Sequence, residues 1–215
     1  MLVLGLTTAT STCGVALRDG DRPLAEAHVH VDRSHARRLA PLVAETLAHA
    51  GRAAAALDAV AVVGGPGSFT GLRIGASTAK GLCLATGAAL VAVPSGEALA
   101  ASADAPMQDA LLVLPSRRGE VLAAARSGPL RPVPLGDLAE LADGCRAALG
   151  PNAAAVADAL GIGAIVQDLR AGAVAALGAE RLARGETESV ATFEPAYGQA
   201  FVPSRPAPIF GGAGR

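Results

Sequence analysis

The stretch Gly64-Gly65-Pro66-Gly67-Ser68-Phe69-Thr70-Gly71-Leu72-Arg73-Ile74-Gly75 constrains this chain more than any other, because it joins an apolar run, Ala59 to Val63, to a segment of helical character. Gly64, Gly65 and Gly67 are free to take positive φ, Pro66 sets one turn dihedral, and Ser68 or Thr70 is placed to cap the helix that follows. A strand, a tight elbow and a helix are expected. Free amides at a helix start attract anions, but the phosphate-loop pattern needs Gly-Lys followed by Ser or Thr, and here Leu72 follows Gly71. The dinucleotide spacing fails as well. The elbow is read first as a joint that lets its helix pack closely, with an anion-binding loop as the alternative.

Around the elbow, Leu2 to Leu6, Gly14 to Leu17 and the alternating Leu24 to Val31 predict a three-stranded meander. A helix follows between Ser34 and Ala50, with Leu39, Leu42, Val43, Thr46 and Leu47 at helical spacing and Pro41 starting or kinking it. Strand Ala59 to Val63, a helix from Thr70 to Thr86 stopped by Gly87 and strand Ala89 to Val93 complete the order β-β-β-α-β-α-β, and Ser95 is expected to cap one more helix, through Ala101. That is a mixed sheet with packed helices, a ribonuclease-H-like half. The polar patch from Ser102 to Gln108 reads as a linker, after which Leu111 to Leu114, a turn and Val121 to Ala125 echo the opening hairpin. A duplicated second domain is inferred, dividing the chain into residues 1–103 and 104–215. Helices are expected over Leu135 to Leu149 and over Asp168 to Arg184, the latter capped by Asp168. The Pro- and Gly-rich end reads as an extended tail.

Composition excludes several classes. The chain has 215 residues, a formal net charge of -1 and only 2% aromatic residues, so no global field draws in nucleic acid and base stacking on the body is not expected. Cys13, Cys83 and Cys145 are odd in number and far apart, which indicates neither a disulfide framework nor a zinc knuckle and points to a reducing compartment. No apolar stretch spans a bilayer and no signal segment is evident, so a soluble cytoplasmic protein is expected.

The elbow, preceded by Ser34-His35 with Leu39 and Pro41, resembles the TsaB (YeaZ) proteins. Arg117-Arg118-Gly119-Glu120-Val121 is similar to that family's second-domain hairpin, and Pro195-Ala196-Tyr197 to its C-terminal Pro-x-Tyr element. The resemblance implies an α/β, actin-like (ASKHA) fold of two ribonuclease-H-like domains, mixed sheets with flanking helices. It also implies a non-catalytic scaffold that forms a heterodimer with the related subunit TsaD, joins TsaE in a larger complex and supports threonylcarbamoyladenosine formation in tRNA. tRNA would be met indirectly through the complex, no membrane is involved, and a homodimer is open for the chain alone. ATP and metal are expected on the partner subunits, with none held here.

Enzymes of this fold place a carboxylate at the end of the first strand of each domain, where Mg²⁺ bridges it to phosphates. Here those places hold Thr7 and Pro115. The catalytic relative's two metal-binding histidines, one helical turn apart, are matched only by His35, since Leu39 takes the second place; His28 and His30 share a strand face that needs no metal to explain it. Ser68 has no evident base, and Arg117 with Glu120 reads as a turn pair. An independent ASKHA-type ATP-binding phospho- or acyltransferase is the alternative, and a peptidase is further off. Gly71, Gly75 and Ala79 fall four apart, a groove that suits either the domain's own sheet or a partner helix. The resemblance shifts the expectation to a partner interface on the two helices, carried by His35, Arg38 and Leu42 on the first and by Ser68, Phe69, Thr70, Gly71, Leu72, Gly75 and Ala79 on the second.

Overall fold

Strands β1 (Leu2–Thr7), β2 (Thr12–Asp19) and β3 (Arg22–His30) form the expected antiparallel meander. β4 (Ala59–Gly65) and β5 (Ala89–Pro94) extend it in parallel, in the order β3-β2-β1-β4-β5. The computed structural model in which they are seen describes residues 1–31, 34–103, 109–125 and 128–198. The sheet is apolar on both faces, which is why β1 and β4 read as continuous hydrophobic runs. Leu2, Leu4, Leu6, Val60 and Val62 pack toward α1 (His35–His49) and α2 (Phe69–Thr86), while Val3, Ala59, Ala61 and Val63 face the opposite way. Pro41 lies inside α1 on its exposed side, and Gly87 ends α2 at φ 79°.

The second half repeats this plan. β6 (Ala110–Pro115), β7 (Glu120–Ala125) and β8 (Arg131–Pro134) are an antiparallel meander, and β9 (Ala147–Gly150) and β10 (Gly163–Val166) run parallel to β6 in the order β10-β9-β6-β7-β8. Each sheet thus has its first strand central, its second and third to one side and its fourth and fifth to the other. The duplication inferred from one weak hairpin echo extends through the whole topology. Between β8 and β10 lie α4 (Leu138–Leu141) and α5 (Ala153–Leu160).

Two helix expectations need correction. Leu135 to Leu149 is a 3₁₀ turn, the four-residue α4 and then strand β9, because Asp143-Gly144 breaks the run and Ala148 and Leu149 are buried within the sheet. Burial on both faces overrides the helical preference of an alanine-rich segment. The last helix, α6, covers Ala171–Ala183, with Arg170 and not Asp168 at its N-cap. Ser95 likewise is the first residue of α3 (Ser95–Ser102) and makes no capping bond.

The division at residue 103/104 also changes at its far end. Although α6 follows the second sheet in sequence, it lies on the first, across β1, β2, β4 and β5, with α3 beside it and the second sheet beyond. The reason is the absence of side chains at two points. A Cβ on Gly5 would come within 2.4 Å of the Ala171 carbonyl oxygen, and one on Gly178 within 2.3 Å of the Ala61 Cβ. Beyond α6, Glu188 N–H donates to Leu90 O at 2.8 Å and Ala196 N–H to Gly64 O at 2.7 Å, so the segment up to Gly198 belongs to the first half. The described residues after β10 therefore return to the domain in which the chain began. Gly178→Leu is expected to lower unfolding free energy by about 1–3 kcal/mol or more. Gly81→Ala, where an added Cβ meets nothing within 4 Å, should raise it by up to ~1 kcal/mol, and urea unfolding of both variants measures the contrast.

Candidate functional site

The elbow is built by convergence on the turn after β1. Ser68 N–H donates to Ala9 O at 2.8 Å, Thr8 Oγ1 donates to Gly71 O at 2.7 Å, and His35 Nε2–H donates to Thr10 O at 2.9 Å. The first turns of α1 and α2 are thereby pinned to three consecutive residues. Of the three elbow glycines only Gly65 is left-handed, at φ 106°. Gly67 serves instead by close approach, since its Cβ would sit 2.8 Å from Ala9 O. Ser68 caps α2, its Oγ accepting the Gly71 N–H at 3.2 Å. With the Ser68 and Gly71 amides so engaged, the tight-joint reading holds in preference to an anion cradle.

The Pro195-Ala196-Tyr197 element, matched in sequence but given no structural role there, clasps this elbow from outside. A Cβ on Gly65 would fall 2.0 Å from Ala196 O, and the Tyr197 ring lies 4.5 Å from that of Phe69. Arg73 places its guanidinium 5.6 Å from the Phe69 ring centre, within cation–π range. Lys80 Nζ donates to Phe193 O at 3.1 Å, fastening the same returning segment to α2.

The expected interface residues divide into two groups. His35, Leu42, Gly71, Leu72, Gly75 and Ala79 are buried within this chain and are not available to a partner. The glycine stripe faces the domain's own β1 turn and sheet: a Cβ on Gly71 would come within 1.9 Å of Thr8 O, and one on Gly75 within 2.5 Å of Thr8 Oγ1. Helical periodicity locates such a stripe but cannot say which surface it meets. Arg38, Ser68, Phe69 and Thr70 are exposed, joined on the same outer faces by Arg37, Pro41, Arg73 and Ser77. The set of residues expected from sequence omits Arg73, although its place one turn after Phe69 marks it as a neighbour.

At the end of β1, Thr7 is fully buried and its Oγ1 has no hydrogen-bond partner among the described residues. Nearby, the Asp168 carboxylate accepts from Thr10 Oγ1 at 2.8 Å, Thr12 Oγ1 at 2.5 Å and its neighbour Leu169 N–H at 2.8 Å. This carboxylate is thus tied to threonines and backbone. Pro115, at the matching end of β6, has no side-chain donor atom, so these two positions do not fit a divalent cation. Among the described residues no group of three or more His, Cys, Asp or Glu is placed to hold a metal. His28 Nε2 lies 3.1 Å from Ala171 N, and His30 is exposed. The three cysteines are buried and form no disulfide among the described residues, and burial pushes the Cys13 and Cys83 thiols up.

Residues 29–196 match the protein family described as TsaD, tRNA N6-adenosine threonylcarbamoyltransferase. The chain belongs to that family, whose fold here is the two-lobed actin-like one. Within it the chain falls among the TsaB/YeaZ proteins. A Haemophilus influenzae relative, described as the tRNA threonylcarbamoyladenosine biosynthesis protein TsaB, is 40% identical over 44% of this chain and 39% of its own length. A Solidesulfovibrio magneticus tRNA N6-adenosine threonylcarbamoyltransferase is 40% identical over 43% of this chain but 29% of its own. The matches thus span well under two thirds of these curated relatives. A Pseudomonas aeruginosa crystal structure, described as similar to peptidase YeaZ, superposes with a TM-score of 0.77 and 26% identity, covering 92% of this chain and 99% of that one. No helix among the described residues is long and apolar enough to cross a membrane.

The start of α6 carries a titratable tie to β3. Glu26 accepts from Gly172 N–H at 2.8 Å and Arg170 Nη2 at 3.2 Å, with His28 Nε2 3.2 Å away. The His28 ring, then the Gly172 amide and the Arg170 charge, hold this carboxyl down to about 2. Because the folded value is depressed, the stabilisation is complete above the ordinary value of 4.5 and is lost as pH falls through about 2. Glu26→Gln should therefore lower the thermal midpoint at pH 7, and the gap to the parent protein should close between pH 4.5 and 2 in a pH series of melts.

Proposed function

We propose that this chain is a non-catalytic subunit in the formation of threonylcarbamoyladenosine in tRNA, binding and activating a TsaD-type partner through the exposed outer faces of α1 and α2. The observation that carries this reading is the closed end of β1. Thr7 is fully buried where an enzyme of this fold would present a metal-binding carboxylate, and Asp168, the acid nearby, is held by Thr10 and Thr12. An independent ATP-dependent transferase needs an ionised oxygen facing the cleft, and neither Thr7 nor Pro115 supplies one.

What remains is a rigid surface. The first turns of two helices are fixed to one backbone turn, and Arg38, Phe69, Thr70 and Arg73 project from them with no acidic residue in either first turn. Such a pre-ordered patch with an aromatic and arginines suits a partner of complementary, acidic character. ATP and metal belong to the partner subunits in this scheme, TsaE joins the larger assembly, and tRNA is reached through it. In the absence of TsaD the same helices are free to pair two copies.

Titration of the purified chain with its cognate TsaD tests the proposal. The double variant Arg38→Glu, Arg73→Glu should weaken association about tenfold or more while leaving the unfolding transition of the isolated chain unchanged. Mg²⁺-dependent ATP hydrolysis by the chain alone, removed by Asp168→Asn, would sink it.

A further inference from the structure

The internal repeat allows one half to be compared with the other. In an open α/β sheet the crevice beyond the carboxyl ends of the strands, where the chain turns opposite ways from adjacent strands, is where ligands bind. In the first sheet that point lies between β1 and β4. It is closed, since α2 and the elbow before it sit directly on the Thr8–Ala9 backbone through Gly71 and Gly67. In the second sheet it lies between β6, which leads to β7 on one side, and β9, which leads to β10 on the other.

There the crevice is open. α4 has only four residues where α1 has fifteen, and α5 has eight where α2 has eighteen. The shorter helices leave a cavity of about 580 Å³, lined entirely by second-half residues. This size falls within the usual range for small-molecule sites. Its walls are apolar, from Val121, Leu138, Val156 and Leu160, and Leu135 stands at the rim 53% exposed. Its mouth is cationic. Arg117 Nε pairs with Glu120 at 3.0 Å, and Glu120 also accepts from Ser116 Oγ at 2.8 Å. Arg118 lines the same cavity and has no ion-pair partner among the described residues, leaving a net positive charge. The first turn of α5 carries no acidic residue, and Asn152 makes no side-chain capping bond.

We infer that this second-half crevice binds a small amphipathic anion, with an apolar body in the cavity and a carboxylate, sulfonate or phosphate at Arg118. The inference does not rest on the partner surface proposed above, which occupies the other half of the molecule.

Fluorescence titration with 8-anilinonaphthalene-1-sulfonate, with decanoate and decanol as competitors, tests it on the full chain. One probe molecule should bind per chain, and decanol should need at least about tenfold more than decanoate to displace it, as expected for one hydrogen-bonded charge. Arg118→Glu should weaken binding about tenfold, and Ala155→Trp, which fills the cavity, should abolish it, both with an unchanged thermal transition. If the Ala155 variant does not fold, Leu135→Asp at the exposed rim takes its place and should weaken binding. Equal competition by decanol, or binding that survives the cavity variant in a folded protein, overturns the inference. TsaD association is measured in parallel, and a change there without a change in probe binding bears on the partner surface alone.

Discussion

The structure depends on how closely α6 lies against the first sheet. Gly5 and Gly178 leave no side chain between them and their neighbours, so helix backbone meets strand backbone and β-carbon directly. That approach brings the end of the chain back to its beginning. It places α6 and α3 as a helical layer between the two sheets, in one apolar cluster that draws on both halves. Because packed interiors tolerate little change in volume, the relative placement of the halves follows from these contacts more than from the surface ion pairs around them.

The same principle of missing side chains operates a second time at the elbow. Gly67, Gly71 and Gly75 let α2 settle on the Thr8–Ala9 turn, which closes the crevice at the end of β1 and fixes the first turns of two helices. One consequence is chemical, because the strand end that serves catalysis in related folds is buried. The other is mechanical. Phe69, Arg73 and Arg38 stand on helix starts that cannot shift independently, and Tyr197 and the returning segment brace them from outside. The second half lacks those glycines and keeps its crevice open, so a repeated topology yields two unlike surfaces.

Much of the first half was legible because its signals are local. The alternation in β3, the apolar runs of β1 and β4, Gly87 after α2 and the elbow itself all lie within a few residues of what they specify. The second half was harder, since β8, β9 and β10 have four residues each and alanine is common in both strand and helix there. Ala147-Ala148-Leu149 became a strand because β6 lies beside it. Asp168 had the composition of a helix cap, but Thr10 and Thr12, more than 150 residues earlier, claimed its carboxylate.

The amino-acid order alone established the elbow, the meander and the family signature, because turn dihedrals, hydrophobic alternation and motif spacing are properties of neighbouring residues. It also placed threonine and proline where a carboxylate would be needed. Which surface the Gly71–Gly75–Ala79 stripe would meet, which half would receive α6, and which of the two crevices would stay open were decided only in three dimensions. Each depends on contact between segments far apart in the chain, and periodicity gives a face its character without naming its neighbour.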